Sequence, residues 1–390
     1  MATDFSGGHA ARPAILQVVP RLDTGGAERS TIDIAAALVR NGFTALVASE
    51  GGRMVPELLD AGGEWIKLQA DAKAPHTLLA NAFRLAGIIR ARDVKLIHAR
   101  SRAPAWSSLW AARMARIPFV TTYHGSYSAR SWPKRFYNSV MARGDAVIAN
   151  SRWTAGHIAA QYAFAPKMLV TIPRGVDTAR FDPAGVAPDR VAVLRAAWNA
   201  GPDDIVILLP GRLTRWKGQE VLIEAIRLLA ATRDLSGVRA VLAGDAQGRT
   251  AYASELKAKI AAAGLDGRIL IAGHVADMAA AYLAADIVVS ASTQEEAFGR
   301  VAAEASAMGR AVVATDHGGA RETIVPDISG LLVAPGSAAV LARALDGLMA
   351  AGRETRTAMG AKGRQHICET FTVERMCEDT LALYRKLLAG

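Results

Sequence analysis

Short runs rich in Val and Ile alternate with Ala/Leu-rich amphipathic stretches along the whole chain, and this alternation restricts the fold more than any other feature. In the first half the runs are 14–19, 45–49, 95–98, 119–123, 146–149 and 168–172. The second half repeats the scheme at 205–209, 240–243, 269–272, 287–290, 311–314 and 330–333. Helical patterns such as 30–41, 218–231 and 251–263 lie between them. A strand that is apolar on both faces must be covered on both, so buried runs separated by helices predict α/β architecture with parallel, doubly wound sheets. With 390 residues, 51% of them hydrophobic, two such sheets fit better than one. The break is placed at 181–203, where FDPAGVAPDR and GPDD carry the Pro and Gly of a linker; 178–202 reads as linker plus a connecting helix. In open α/β sheets ligands bind beyond the carboxyl ends of the strands, and with two domains a cleft between them is the expected site.

Several absences narrow the chemistry. None of the 35 glycines stands two positions from another, which removes the dinucleotide fingerprint, and no Gly-Lys dipeptide exists to build a Walker A loop. Phosphate must be bound some other way. There is no Asp-x-Asp and no His cluster of zinc-ligand spacing, so no metal is expected. Two cysteines, Cys368 and Cys377, make no disulfide framework. Asp4 stands where a signal peptide would be basic, and charge-free stretches such as 328–341 fall short of the ~18 apolar residues of a membrane span. The expected location is the cytoplasm.

Charge is unevenly divided. Residues 1–200 hold 25 Lys and Arg against 14 Asp and Glu, whereas the remainder holds 21 against 22. Residues 94–144 contain no acid and nine bases: Lys95, Arg100, Arg102, Arg113, Arg116, Arg130, Lys134, Arg135 and Arg143. Trp106, Trp110, Trp132, Phe136 and Tyr137 are interleaved with them. Such a segment suits an anionic membrane or a nucleic acid; a solvated basic face with its tryptophans in the core fits the same residues.

Four segments carry candidate chemistry. Asp23-Thr24-Gly25-Gly26-Ala27-Glu28 opens the first helix, where free amides and the dipole suit a phosphate, although an ordinary strand-to-helix turn has the same appearance. Gly211-Arg212-Leu213-Thr214-Arg215-Trp216-Lys217-Gly218 follows the first strand of the second half; Arg212 and Lys217 there could neutralise a diphosphate. In Glu296-Ala-Phe298-Gly299-Arg-Val-Ala-Ala-Glu304 two carboxylates stand eight steps apart. Were the segment helical throughout, they would lie about 12 Å apart along the axis and about 80° around it. That exceeds the ~5–9.5 Å of a glycosidase pair and suits the two ends of an extended ligand, with each carboxylate accepting from a diol. Finally, His124 ends an apolar strand beside Gly125, which is a cleft position, though a capping or core histidine would also stand there.

In this order the motifs resemble the retaining GT-B glycosyltransferases of family 4, and are similar to those of the bacterial lipopolysaccharide and cell envelope. The segment from Glu296 through Glu304 to Gly309, continuing to His317-Gly318-Gly319-Ala-Arg-Glu322, is the most specific part. Gly25-Gly26-Ala27-Glu28, Asn150-Ser151, Gly175-Val176-Asp177-Thr178 with Phe181 and Pro183, and Gly211-Arg212 with Lys217 are also family-like. Ala291 and Ala297 depart from the proline and glycine common in the family, which predicts a slightly different loop. The resemblance implies two Rossmann-like domains facing across a deep cleft. It places an acceptor-binding domain at 1–180, the linker at 181–202, a nucleotide-sugar domain at 203–370 and a C-terminal helix, 371–390, crossing back to the first domain.

It further implies transfer of a hexose, mannose or glucose, from a nucleotide-diphosphate sugar without cofactor or metal. Glu304 would hold the ribose, Glu296 the sugar hydroxyls, and Arg212 and Lys217 the diphosphate, approached by Gly25 and Gly26. Phe298 and Gly299 would offer backbone contacts, and His124 would reach the sugar. The acceptor would be a hydroxyl of a lipid-linked glycan such as lipopolysaccharide core. The basic first domain would rest on the inner face of the cytoplasmic membrane, with no nucleic-acid partner. A sugar-nucleotide epimerase or phosphorylase of the same fold and a non-catalytic polyanion binder are the alternatives; no residue decides between UDP and GDP donors.

Overall fold

The computed structural model describes residues 12–23, 25–72, 74–125, 127, 131–162, 168–248 and 250–390. Thr24 and Arg130 therefore lie outside the described residues. Two structural units result. One comprises the described chain through Asn150, Thr154–Ile172 and Met376–Gly390; the other comprises Ser151–Trp153 and Pro173–Arg375.

The first unit is built on seven strands, β1 (Ala14–Val18), β2 (Thr44–Ser49), β3 (Glu64–Lys67), β4 (Val94–Ala99), β5 (Phe119–Tyr123), β6 (Ala146–Ala149) and β7 (Leu169–Thr171), in spatial order β3-β2-β1-β4-β5-β6-β7. All pairs are parallel. β1, β5 and β6 are buried at every position, as a strand covered on both faces must be. Leu16, Ile97, Phe119 and Val147 lie in a core shared with Leu85, Leu109 and Met141 from covering helices. From the final helix, Val373–Ala389, Tyr384 is fully buried in this unit with its hydroxyl on Nδ1 of buried His98, while Arg385 donates to Asn41 Oδ1 at 2.8 Å. Burial, with a smaller contribution from the Arg100 charge, holds the His98 pKa well below its ordinary value, so the imidazole is a neutral core group.

The second unit has six strands, β8 (Ile205–Pro210), β9 (Val238–Ala243), β10 (Ile269–Gly273), β11 (Ile287–Ser290), β12 (Ala311–Thr315) and β13 (Leu331–Val333), in order β10-β9-β8-β11-β12-β13, again all parallel. One face packs Ile207, Leu209, Val289 and Val313 against Leu222, Ile226 and Leu345; the other packs Leu208, Val288 and Val312 against Tyr282, Ala303 and Ile367. The helix Pro188–Ala197 follows the Pro-rich segment as the sequence predicts. In each sheet the strand order reverses beside the first strand, between β1 and β4 and between β8 and β11. Loops leaving the carboxyl ends of those strands border the crevice where open α/β sheets bind ligands.

One strand was not anticipated. β3, sequence EWIK, sits at the sheet edge with half its residues exposed, so it lacks the apolar run by which the others are recognised. Among the described residues no helix is long and apolar enough to cross a membrane.

Candidate active site

Three loops of the second unit meet beyond the carboxyl ends of adjacent strands. The first, after β8, turns through Gly211 and a short 3-10 segment, Arg215–Lys217, and closes at Gly218, whose φ of +78° is in the left-handed region. A side chain at Gly218 would overlap the carbonyl of Ala291, the first residue of the loop after β11. Thr293 N–H donates to the Trp216 carbonyl at 2.7 Å, so these two loops are joined through backbone. The third loop, after β12, brings Gly318 and Gly319 against the backbone of Glu296 and Phe298, and Gly319 N–H donates to the Glu296 carbonyl at 2.8 Å. Thr315 Oγ1 donates to the Ser292 carbonyl at 2.9 Å, and His317 Nε2 is 2.8 Å from the same oxygen. The loop holding Glu296 is thus clamped from both sides.

Glu296 and Lys217 come together. Lys217 Nζ donates to Glu296 Oε1 at 2.7 Å, with only 12% and 18% of the two side chains exposed. Lys217 also stands over the Trp216 ring, 4.5 Å from its centroid. Ser292 Oγ donates to the same carboxylate oxygen, which leaves Oε2 to accept from a ligand. Arg212, at the mouth of the loop after β8, is exposed, and its guanidinium makes no hydrogen bond or ion pair among the described residues; its carbonyl accepts from buried Gln219 at 2.9 Å. A free fork beside an ammonium is suited to a phosphate oxygen pair.

Glu304 lies deeper than its sequence suggests. It is 8% exposed on the helix Arg300–Ala307, accepting from Tyr282 OH at 3.0 Å on Oε2 and from Arg300 Nε and Nη2 at 3.1 and 2.6 Å on Oε1. Three of roughly four acceptor positions of the carboxylate are used, which leaves one for a hydroxyl. Burial, then the Glu304 charge, pushes the Tyr282 pKa well above its ordinary value, so the phenol is a proton donor to the carboxylate at any working pH. Glu296 is not helical: Gly299, at φ +78°, begins the helix after it, so the helical separation of about 12 Å does not apply. The Phe298 side chain is 3% exposed, packed edge-on to Phe371 with centroids 5.8 Å apart, so only its backbone faces the loops.

Of the other predicted residues, Gly25, Gly26 and His124 belong to the first unit. Gly25 precedes the helix Gly26–Arg40, and its φ of +151° keeps it free of a side chain that would meet the Glu28 carboxylate. His124 follows β5 and, with Glu28, Arg100 and Arg102, lines a cavity of about 210 Å³. Ser292, Tyr282 and Arg100 escaped the sequence reading. Arg100 had a legible signal, since it follows β4 at the strand-order reversal.

The nine bases of 94–144 do not form one face. Arg100 is buried, Lys95 pairs with Asp93 at 2.6 Å and Arg113 with Asp145 at 3.2 Å, both acids lying just outside the segment. Nor are the aromatics all in the core: Trp132 is 77% exposed and Phe136 52%. Among the described residues no three His, Cys, Asp or Glu side chains gather as a metal site.

Two doubly wound sheets, with cations and paired carboxylates at the strand ends of the second, define an α/β enzyme of nucleotide-sugar type. Comparison with known proteins makes this specific. The profile described as "Glycosyltransferase Family 4" matches residues 24–180, and "Glycosyl transferases group 1" matches 192–366. A glycosyltransferase structure from Rickettsia africae ESF-5 is 35% identical, with 97% of this chain and 99% of that one covered and a TM-score of 0.88. Anabaena HepE in complex with UDP-glucose is 25% identical over 96% of this chain and 99% of that one, with a TM-score of 0.82. The lipopolysaccharide core biosynthesis mannosyltransferase LpcC of Rhizobium leguminosarum bv. viciae is 29% identical over 76% of this chain and 80% of its own length. Against several D-inositol 3-phosphate glycosyltransferases the chain spans about half of their length, 53–54%. The chain belongs to the family 4 glycosyltransferases of the GT-B fold.

Proposed function

We propose that this chain is a retaining hexosyltransferase that moves mannose or glucose from a nucleotide-diphosphate sugar to a hydroxyl of a lipid-linked glycan, in lipopolysaccharide or another envelope glycan. The observation that carries the reading is the joined loop set around the Lys217–Glu296 pair, with Arg212 free beside it and Glu304 buried behind it. HepE, whose complex holds UDP-glucose, and LpcC, named a mannosyltransferase, support the donor and the acceptor class.

In this reading Glu304 takes the ribose hydroxyls and Glu296 the sugar hydroxyls. Phe298 and Gly299 offer backbone to the sugar. Arg212 and Lys217 stabilise the diphosphate as the anomeric C–O bond breaks, and positive groups fixed in advance lower the barrier without reorganisation and without a metal. The departing phosphate oxygen accepts the proton of the attacking acceptor hydroxyl, so no protein nucleophile is required. From the first unit, His124 and the Gly25–Gly26 turn act in the same reaction. The test is transfer of label from UDP-glucose or GDP-mannose into extracted envelope lipids with EDTA present. Labelled lipid with one donor class is the expected result; free sugar or an isomerised donor, and no labelled lipid, would contradict it.

The membrane partner is proposed on the first unit. Three of its helices each expose a pair of large apolar side chains four residues apart: Leu79 and Phe83 on Pro75–Ala91, Trp110 and Met114 on Arg102–Ala115, Trp132 and Phe136 on Trp132–Ser139. Trp106 links two of these helices, 5.8 Å from Trp110 and 5.3 Å from Phe136 between ring centroids. Lys134 and Arg135 lie on the same short helix as Trp132. Aromatic residues with adjacent cations favour the headgroup layer of an anionic bilayer, about 1 kcal/mol coming from each cation near the surface. We expect the protein to co-sediment with vesicles containing phosphatidylglycerol, and Trp132→Glu with Lys134→Glu to reduce the bound fraction at least tenfold without change in melting temperature. Equal binding of wild type and variant would contradict the assignment.

A further inference from the structure

The cavity of about 210 Å³ in the first unit lies beyond the carboxyl ends of β1, β4 and β5, where the strand order reverses. Two helices begin at it, Gly26–Arg40 and Arg102–Ala115, and neither N-cap, Gly25 or Ser101, satisfies the first turn through its side chain. Unsatisfied N–H groups and two positive dipole ends converge on one space. On its own this would be common strand-to-helix geometry.

The second observation is Arg100, which lines the same cavity. It is 2% exposed, its Nη2 donates to Ser30 Oγ, and its Nε is buried with no hydrogen-bond partner. Among the described residues no carboxylate stands within ion-pair distance of it. Burial lowers its pKa, and Tyr384, Cys377, Asp33 and Glu28 oppose that only by Coulomb attraction. A buried guanidinium that the protein leaves without a counter-ion is costly to keep, and an anion from outside would remove the cost. Arg102 adds a second cation on the cavity wall, stacked 4.2 Å from the Tyr127 centroid and anchored by Nη1 to Asn138 Oδ1 at 2.9 Å. Glu28 opposes an anion there, but one carboxylate faces two guanidiniums and two helix N-termini. The volume lies below the ~300–1,000 Å³ of pockets that enclose whole drug-sized ligands, so it suits one anionic group and not a nucleoside diphosphate.

We propose that this cavity is an anion subsite for the acceptor: the acceptor carries a carboxylate or a phosphate, which Arg100 and Arg102 hold. The inference rests on the transferase reading for the word acceptor, and its test does not. Inorganic phosphate and acetate are titrated separately into the full chain, with and without saturating UDP or GDP, in wild type, Arg100→Gln and Arg102→Gln. The expected result is that one of the two anions binds, which identifies phosphate or carboxylate, that nucleotide leaves this binding unchanged, and that either variant weakens it at least tenfold while still binding nucleotide. Should Arg100→Gln fail to fold, Arg102→Gln, at a partly exposed position, carries the test. Displacement by nucleotide would assign the cavity to the donor diphosphate and overturn the proposal. So would equal binding in the variants, or no binding of either anion. Failure of wild type to bind any nucleotide would instead strike the transferase reading.

Discussion

Arg212→Ala is expected to lower kcat by about 10²–10³-fold, the usual loss when one preorganised charge at a developing anion is removed, while the melting temperature stays unchanged. The two halves of that expectation have separate grounds. Arg212 is exposed and its guanidinium is unpaired among the described residues, so folding does not depend on it. Its place, directly after β8 and beside Lys217, is where the diphosphate of a donor would arrive. Lys217→Ala should differ in kind. Its ammonium and the Glu296 carboxylate are both mostly buried and bonded at 2.7 Å, so truncation leaves an uncompensated charge. Breaking such a pair costs on the order of 3 kcal/mol, and stability falls together with turnover. Steady-state kinetics and thermal melts on the two variants separate these outcomes. Wild-type turnover in Arg212→Ala would remove the diphosphate from this loop.

The largest effect on stability is expected at Gly218→Ala. Two independent penalties meet there. The φ of +78° strains any residue with a side chain, at ~1–3 kcal/mol. The added methyl would also overlap the Ala291 carbonyl, which is backbone and cannot swing aside, adding ~1–3 kcal/mol of overpacking. Together these amount to about 2–6 kcal/mol, a large share of the stability of an ordinary domain. The Thr293–Trp216 hydrogen bond and the Lys217–Glu296 pair would loosen with it, so any folded fraction should bind nucleotide poorly. Chemical denaturation of Gly218→Ala beside Gly248→Ala, which has the same φ of +78° but open space around it, isolates the steric part. Equal losses in the two would mean that close packing of the loops contributes nothing.

How far the sequence reaches can be judged residue by residue. Strands buried on both faces announce themselves as apolar runs; IVVS at β11 and FVTTY at β5 are found at their predicted limits. β3 is silent because an edge strand in contact with water needs no such run. Spacing alone misjudged the two glutamates, since a left-handed glycine between them starts the helix late and only Glu304 rides on it. It also could not show that Glu304 is buried, because its hydroxyl partner, Tyr282, lies on another helix. The acid-free segment is a similar case. An unbroken row of bases reads as one patch, but Asp93 and Asp145, one residue beyond either end, neutralise two of them and the fold buries a third. What the row did contain was Arg100, whose value lies in where β4 ends.

The central claim, that the loops of the second unit hold a nucleotide-diphosphate sugar, is tested most directly by a thermal-shift series of UDP-, GDP- and ADP-sugars with EDTA present, on wild type and Glu304→Gln. Gln keeps the volume at Glu304 and an acceptor for the Tyr282 hydroxyl, which Ala would leave unbonded at a cost of about 1–3 kcal/mol. The account predicts that one nucleotide class stabilises the wild type without metal and that the gain is lost in Glu304→Gln. Stabilisation of equal size in both proteins, or none with any nucleotide sugar, would contradict it.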